Sequence, residues 1–194
     1  MRVGVLALQG DFREHLSALN SLPGAVGVPV KRKEEFAQID ALVIPGGEST
    51  TIAKLARIFD VFETIKDRIN SGLPVFGSCA GLILLSDRIL DGAKDQETFG
   101  GLDITSRRNA FGRQVDSFEG EIDFKGIGKI NGVFIRAPWV EEVGPNVEVL
   151  ASVQDHPVAV RQGNAFATSF HPELTADLAV HRYFIENICK VEKR

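Results

Sequence analysis

Cysteine is scarce in this chain: two thiols, Cys79 and Cys189, lie far apart among 194 residues. Two cysteines build neither a disulfide framework nor a zinc site, so the chain reads as a protein of the reducing cytoplasm. Long apolar runs are missing as well. None approaches the roughly 18 residues of a membrane span. The run Val3 to Leu8 stops at Gln9-Gly10-Asp11, too short for a signal-peptide core. There is no surplus of positive charge: 22 basic and 26 acidic residues are interspersed, for a net charge of −4. That excludes the basic patch of a nucleic-acid binder. No G-x-x-x-x-G-K sequence is present, which argues against a phosphate-cradling P-loop. No repeat, low-complexity tract or Pro/Ser-rich linker divides the chain. What remains is 44% hydrophobic sequence in 194 residues. That suffices for one sizeable α/β domain, read as spanning 1–194, whereas two would be cramped.

Arg2 to Leu8, Ala41 to Ile44 and the run ending at Phe76 read as strands buried on both faces. Val26 to Val30 is a fourth. Between them, Phe12, Leu16 and Leu19 recur at helical spacing, with Asp11 as the expected N-cap and Pro23-Gly24 as the stop near Leu22. Lys31 to Gln38 is a charged connector. Helices are expected over Ile52 to Phe59, capped by Ser49 or Thr50, and over Val61 to Asn70. Strands alternating with helices imply βαβ units and an open, mainly parallel sheet. After Leu90 the pattern changes. Asp91 to Gly101 reads as a loop. Leu102 to Asn109, Ser117 to Phe124, Ile130 to Ile135, Val147 to Val153, Pro157 to Arg161 and Ala165 to Phe170 read as strands, with a hairpin turn at Gln162-Gly163-Asn164. These extend the first sheet and add a smaller antiparallel one. Ala176 to Lys190 is expected to close the chain as an amphipathic helix, with Leu178, Phe184, Ile185 and Ile188 on its apolar side and Cys189 in a structural place.

The stretch richest in chemistry is Gly77-Ser78-Cys79-Ala80-Gly81, a G-x-C-x-G sequence between a strand and a helix. This is the cysteine version of a nucleophile elbow. Gly77 and Gly81 allow strand and helix to approach around a strained residue. Cys79 falls at a helix N-terminus, where free N–H groups and the dipole favour a thiolate. The Ala80 N–H is then aimed at an oxyanion formed by attack on a carbonyl. A second stretch, Pro45-Gly46-Gly47-Glu48-Ser49, can turn backbone N–H groups toward a ligand. A third, Ser169-Phe170-His171-Pro172-Glu173, supplies a base and an acceptor to orient it. Gly10, Gly46-Gly47 and Cys79 all follow strands, so they should share one edge of the sheet, where such folds bind ligands. His15 and His181 on helices, and His156 in a turn, read as ordinary surface or capping histidines.

Gly-Ser-Cys-Ala-Gly, Pro-Gly-Gly-Glu-Ser and His-Pro-Glu, in this order, resemble the class I (triad) glutamine amidotransferases. More narrowly, the chain is similar to the family of glutaminase subunits of pyridoxal phosphate synthases. The narrower likeness rests on Val5 to His15, Pro45 to Thr51, Arg108 to Gln114, Phe134 to Pro138 and Ser169 to Thr175. The resemblance implies a three-layer sheet flanked by helices. It implies Cys79 as nucleophile, His171 as base and Glu173 as its orienter, with Gly47 and Ala80 as the oxyanion hole. It implies Gly47, Glu48, Ser49, Arg108, Ile135 and Arg136 as the glutamine site. An arginine suits the substrate carboxylate. Arg108 is the expected partner, and Arg136 serves either that carboxylate or a partner surface. The implied reaction is hydrolysis of L-glutamine to glutamate and ammonia through a thioester. The ammonia passes to a (β/α)-barrel synthase subunit, and this chain needs neither cofactor nor metal. Two other classes remain: another hydrolase on a similar sheet, such as a gamma-glutamyl hydrolase or cysteine peptidase-like protein, and a binding module with an inactive elbow. An intact Cys79, His171 and Glu173 set argues against the last.

Overall fold

The structure, a computed structural model, describes residues 1–111 and 117–190. The motif residues Gly112, Arg113 and Gln114 lie outside them. Five parallel strands form the centre: β1 (Arg2–Leu6), β2 (Val26–Val30), β3 (Ala41–Ile44), β4 (Val75–Ser78) and β12 (Ala165–Thr168). The hairpin partners β10 (Glu148–Val153) and β11 (His156–Gln162) extend this sheet antiparallel, giving the order β10-β11-β12-β4-β3-β1-β2. The period-2 alternation of strands sorts side chains onto two cores. Leu42, Ile44, Val75, Ala165 and Ala167 face one side. It is covered by α2 (Ser49–Ile58), α3 (Phe62–Asn70) and α4 (Ala80–Leu85). Ala41, Val43, Phe76 and Phe166 face the other. There they meet α1 (Phe12–Asn20) and α5 (Ala179–Tyr183), which continues as a π-helical turn, Phe184–Ile188.

The remaining strands form two small sheets where one antiparallel sheet was expected. β7 (Ser117–Phe124) pairs with β8 (Gly128–Ile135) as a hairpin. β6 (Leu102–Arg107) lies between β5 (Ser86–Leu90), parallel, and β9 (Trp139–Val143), antiparallel. β5 and β9 were not anticipated. Ser-Asp-Arg-Ile-Leu and Trp-Val-Glu-Glu-Val are polar edge strands with one buried side, which a search for apolar runs passes over. Hairpin pairing of Gln162 with Ala165 leaves a two-residue turn at Gly163-Asn164, as the turn signal implied.

Several boundaries and caps differ from expectation. α1 stops at Asn20 and the last helix starts at Ala179, both shorter than the periodicity suggested. The connector Lys33–Gln38 is a 3-10 helix, with the Glu35 carboxylate accepting from the Lys31 and Arg32 N–H groups. α2 begins at Ser49, three residues early, and neither Ser49 nor Thr50 caps it. Glu48 does, accepting from the Thr51 N–H (2.7 Å). Asp11 stands at the N-cap position of α1 but makes no capping hydrogen bond. Its side chain is turned toward His171 instead.

The elbow between β4 and α4 is a tight joint. A Cβ on Gly77 would lie 2.5 Å from the Gly81 carbonyl group, and one on Gly81 would run into the Ile44 carbonyl oxygen of β3. Backbone atoms cannot yield as a side chain would, so overpacking here costs about 1–3 kcal/mol or more. Gly81→Ala is therefore expected to lower the urea midpoint by at least that equivalent. Gly120→Ala, in β7 with open space around its Cβ, should change it little.

Candidate functional site

β4 and β12 deliver Cys79 to the carboxyl edge of the sheet. Its N–H donates to the Thr168 carbonyl (2.8 Å), which pins the elbow to the end of β12. Its backbone adopts φ 48°, ψ −99°. A residue with a side chain holds such a conformation only at a cost of about 1–3 kcal/mol. The Sγ is almost buried and lies 4.0 Å from the Ile135 carbonyl at the end of β8. Ala80 opens α4, so its N–H is in the unpaired first turn beside the thiol.

His171 follows β12 and is held by its N–H to the Val133 carbonyl of β8 (2.8 Å). Pro172 starts the 3-10 turn Pro172–Leu174 that brings Glu173 back onto the imidazole. Nδ1 bonds Glu173 Oε1 at 2.7 Å and stands 3.4 Å from Asp11 Oδ2. The other ring nitrogen is free of both carboxylates, and Cys79 is close enough for its sulfur to favour a charge on the imidazole. Burial disfavours a charge on His171. Asp11, Cys79 and Glu173 together overcome it and raise its pKa far above the ordinary histidine value. Glu173 is pushed up by burial, against the stabilising contact with His171. Gly46 completes the fit: the imidazole packs where its Cβ would be. The Asp11 N–H also donates to the Gly46 carbonyl (3.0 Å), so the predicted common edge of Gly10, Gly46-Gly47 and Cys79 is what the structure has.

Two histidines read as surface or capping residues are fully buried behind this pair. His15 Nε2 lies 3.4 Å from Glu173 Oε2 and 2.9 Å from Ser78 Oγ, and its Nδ1 lies 2.9 Å from His181 Nε2. Burial, then His181 and His171, hold the His15 pKa well below the usual histidine value. Burial lowers that of His181 to about 4. The missed signal was periodicity. His15 falls between Phe12, Leu16 and Leu19, and His181 between Leu178 and Ile185, on the apolar stripes themselves. His156 is remote: it opens β11 and stacks on the Trp139 indole with centroids 3.6 Å apart. Cys189 also lies away from the site. Burial and then Asp40 push its pKa up to about 12, so it stays a thiol.

The residues expected to bind glutamine are linked to one another. The Arg108 guanidinium donates to Glu48 Oε1 (2.9 Å) and to Gln96 Oε1 (3.0 Å), while Gln96 Nε2 donates to Ser49 Oγ (2.7 Å). Burial opposes the charge on Glu48, but the Thr51 N–H and hydroxyl, the Thr50 N–H and Arg108 hold its pKa below the usual value. The Glu48 N–H donates to Gln9 Oε1 (2.9 Å). Gly47 has φ 152°, and a Cβ there would approach the same Gln9 oxygen to 2.6 Å. The Ala110 N–H donates to the Ala137 carbonyl (3.0 Å), which brings the Arg108 loop beside Ile135 and Arg136. Arg136 itself is exposed, at φ 42°. Gln9, within the Val5 to His15 likeness, also meets the site, and Gln96 is a further member that the motifs did not single out. Asp11, His171 and Glu173 also offer donor atoms within 4.8 Å of one another. A cation there would have to displace the Nδ1 proton that both carboxylates face, so the arrangement suits an imidazolium better than a metal.

A cysteine elbow beside a His–Glu pair, at the carboxyl edge of a parallel sheet, is the architecture of a cysteine-dependent α/β enzyme acting on an acyl or amide group. Residues 5–190 match the SNO glutamine amidotransferase family, and the chain belongs to that family. It is similar to the pyridoxal 5'-phosphate synthase subunit PdxT of Mycobacteroides abscessus, 59% identical over 187 residues that cover 96% of both chains. It is also similar to the protein of the same name from Acidothermus cellulolyticus, 60% identical over 95% of this chain and 92% of that one. A crystal structure of a glutamine amidotransferase superposes with a TM-score of 0.91, at 50% identity, over 97% of this chain and 99% of the other. No helix among the described residues is long and apolar enough to cross a membrane.

The buried neutral histidines fix a pH dependence of stability. Below pH 6.5 the unfolded chain protonates His181, while the folded chain resists until about pH 4. The unfolded state then binds more protons, so stability falls as pH drops through this window. His171, raised in the fold, is charged in both states in the acid part of this window and adds nothing there, and near pH 6.5 it opposes the slope. Urea unfolding between pH 4 and pH 6.5 should show this slope, and His181→Phe should reduce it by about one proton.

Proposed function

We propose that this chain hydrolyses L-glutamine at Cys79 and passes the ammonia to a pyridoxal phosphate synthase subunit of the (β/α)-barrel type in a hetero-oligomer, in the cytoplasm. The observation that carries the reading is the strained Cys79 at the elbow beside a His171 whose Nδ1 is held by Glu173, in a chain of the glutamine amidotransferase family. The names of the two relatives support pyridoxal phosphate synthesis as the destination.

In the proposed reaction the Cys79 thiol proton passes to His171 Nε2 and the sulfur attacks the side-chain amide carbon of glutamine. The N–H groups of Ala80 and Gly47 receive the oxyanion. His171 gives its Nε2 proton to the departing ammonia, and a glutamyl thioester remains. Water, deprotonated by His171, then adds to the thioester, glutamate leaves and the thiol is restored. Glu173, with Asp11 beside it, keeps the Nδ1 proton in place throughout. Arg108 receives the substrate carboxylate, aligned by Glu48 and Gln96, with Ser49, Ile135 and Arg136 around the amino-acid end. Released to solvent, ammonia becomes ammonium and is no longer a nucleophile, which is why a partner subunit is needed. The glycine pair Gly46-Gly47 also suits control. Rotation of their shared peptide moves an N–H into or out of the oxyanion hole, and one such donor is worth about 100- to 1,000-fold in rate.

Glutaminase assays of the chain with and without its synthase test the reading. Cys79→Ala should lose more than about 1,000-fold in kcat while staying folded, and Cys189→Ala should keep nearly full activity. His171→Asn should be nearly as damaging as Cys79→Ala. Glu173→Gln should retain measurable turnover. Ammonia release by a folded Cys79→Ala protein at the wild-type rate overturns the assignment. Hydrolysis of gamma-glutamyl peptides without any partner would favour a different hydrolase. Arg108→Ala should raise KM more than it lowers kcat, read from initial rates with saturating synthase.

A further inference from the structure

The buried cluster behind Glu173 contains a choice of proton positions that the surrounding atoms decide. His15 and His181 share one hydrogen bond, His15 Nδ1 to His181 Nε2 at 2.9 Å, so only one of the two nitrogens carries the proton. Among the described residues, His181 Nδ1 is buried with no hydrogen-bond partner, and so is Glu173 Oε2. Suppose His15 carried its proton on Nδ1. His181 would then accept at Nε2 and carry its own proton on Nδ1, a buried donor with nothing to donate to. His15 Nε2 would at the same time turn a lone pair on the Glu173 carboxylate 3.4 Å away. The reverse assignment removes both penalties, and its one cost is that the buried Ser78 hydroxyl accepts from His15 instead of donating to it. His181 Nε2–H donates to His15 Nδ1, and an idle lone pair on His181 Nδ1 is cheaper to bury than an idle N–H. His15 Nε2–H then faces Glu173 Oε2 and Ser78 Oγ together.

We propose that His15 is a positioning residue of this site: neutral, in its Nε2–H form, it donates to Glu173 and Ser78 and holds the carboxylate that orients His171. The proposal rests on the Cys79–His171–Glu173 reading above. The two Glu173 oxygens are thereby divided, Oε1 to His171 and Oε2 to His15. Rotation of the carboxylate away from the imidazole would break both contacts. Neutrality matters as well. A charged His15 would compete with His171 for the same carboxylate, and the burial and neighbouring histidines that keep it uncharged leave Glu173's charge to His171. Apo hydrogen bonds in such sites are often long and shorten in the substrate complex. At 3.4 Å the His15–Glu173 contact has room to do so.

The pH profile distinguishes this role from simple core filling. Glu173 is faced by His171 and Asp11 on the active side, by His15 of α1 and Ser78 of β4 behind, and by His181 of α5 one step further. Taking away the His15 donor destabilises the carboxylate, so Glu173 titrates at higher pH and the acid limb of kcat/KM moves up. With the synthase complex, His15→Leu is expected to lose about tenfold or more in kcat/KM at pH 6, with a smaller loss at pH 8 and little change in KM. His15→Gln, whose side-chain amide nitrogen reaches about where Nε2 stood, should restore most of that loss. A loss equal at all pH values, no loss, or a Gln variant no better than Leu overturns the proposal. None of these bears on Cys79, whose own substitution tests the underlying reading separately. A readout without substitution is imidazole nitrogen NMR of the wild-type chain. Protonated Nε2 and bare Nδ1 on His15 are expected, and the opposite pattern rejects the proposal even if every variant fails to fold.

Discussion

Cys79 sits at positive φ because three backbones meet around it with no space for side chains. β3 presses its Ile44 carbonyl against Gly81, Gly77 touches the same turn from below, and β12 takes the Cys79 N–H. The conformation is costly for a residue with a Cβ. It persists because the seven-stranded sheet and both cores over-determine it. The same closeness exposes a helix N-terminus to the thiol and leaves His171 room on Gly46. Loosening the joint would disturb nucleophile, oxyanion donors and base at once.

The contiguous part of the candidate site was legible in the sequence, because each piece is a strand end followed by a turn whose residue types have a local reason. Gly77 to Gly81 and His171 to Glu173 need only a few residues to state their geometry. The long-range part was less legible. Asp11 looked like a helix cap because aspartate commonly is one. In the fold its carboxylate finds an imidazole that arrives from the other end of the chain. Glu48 looked like a ligand contact, yet it also caps α2 and binds Arg108. One residue serving two roles leaves only one visible locally.

His15 and His181 show where pattern reading stops short. Both lie on apolar stripes, and a polar residue there signals either a boundary or a buried partner. The sequence alone does not say which, because the partners, Ser78 and Glu173, come from two other elements. The fold errors have a similar origin. β5 and β9 are edge strands with one wet face, and the turn from α5 into a π-helical segment is set by how Phe184, Ile185 and Ile188 pack on Phe76 and its neighbours. Tertiary packing decides these boundaries, and propensity only proposes them.

His171 and His15 meet one carboxylate, with His181 behind His15, and only His171 is made cationic. The difference lies in what each ring nitrogen meets. His171 meets two carboxylates and a thiol, enough to outweigh burial. His15 meets a carboxylate on one side, but a neutral imidazole and the nearby His171 on the other. His181 has His15 as its polar partner and Phe76 against its ring, and is governed by burial. Charge is thus concentrated at the ring that faces Cys79 and withheld from the rings behind it. A single buried Glu173 could not hold a cationic imidazole steadily if its second oxygen stayed empty, since an unpaired buried acceptor costs about 1–3 kcal/mol. The neutral pair supplies that contact from the protein interior without adding positive charge that would compete with His171. The apolar face of α1 and the apolar face of α5 are therefore parts of the site's electrostatics as well as of its core.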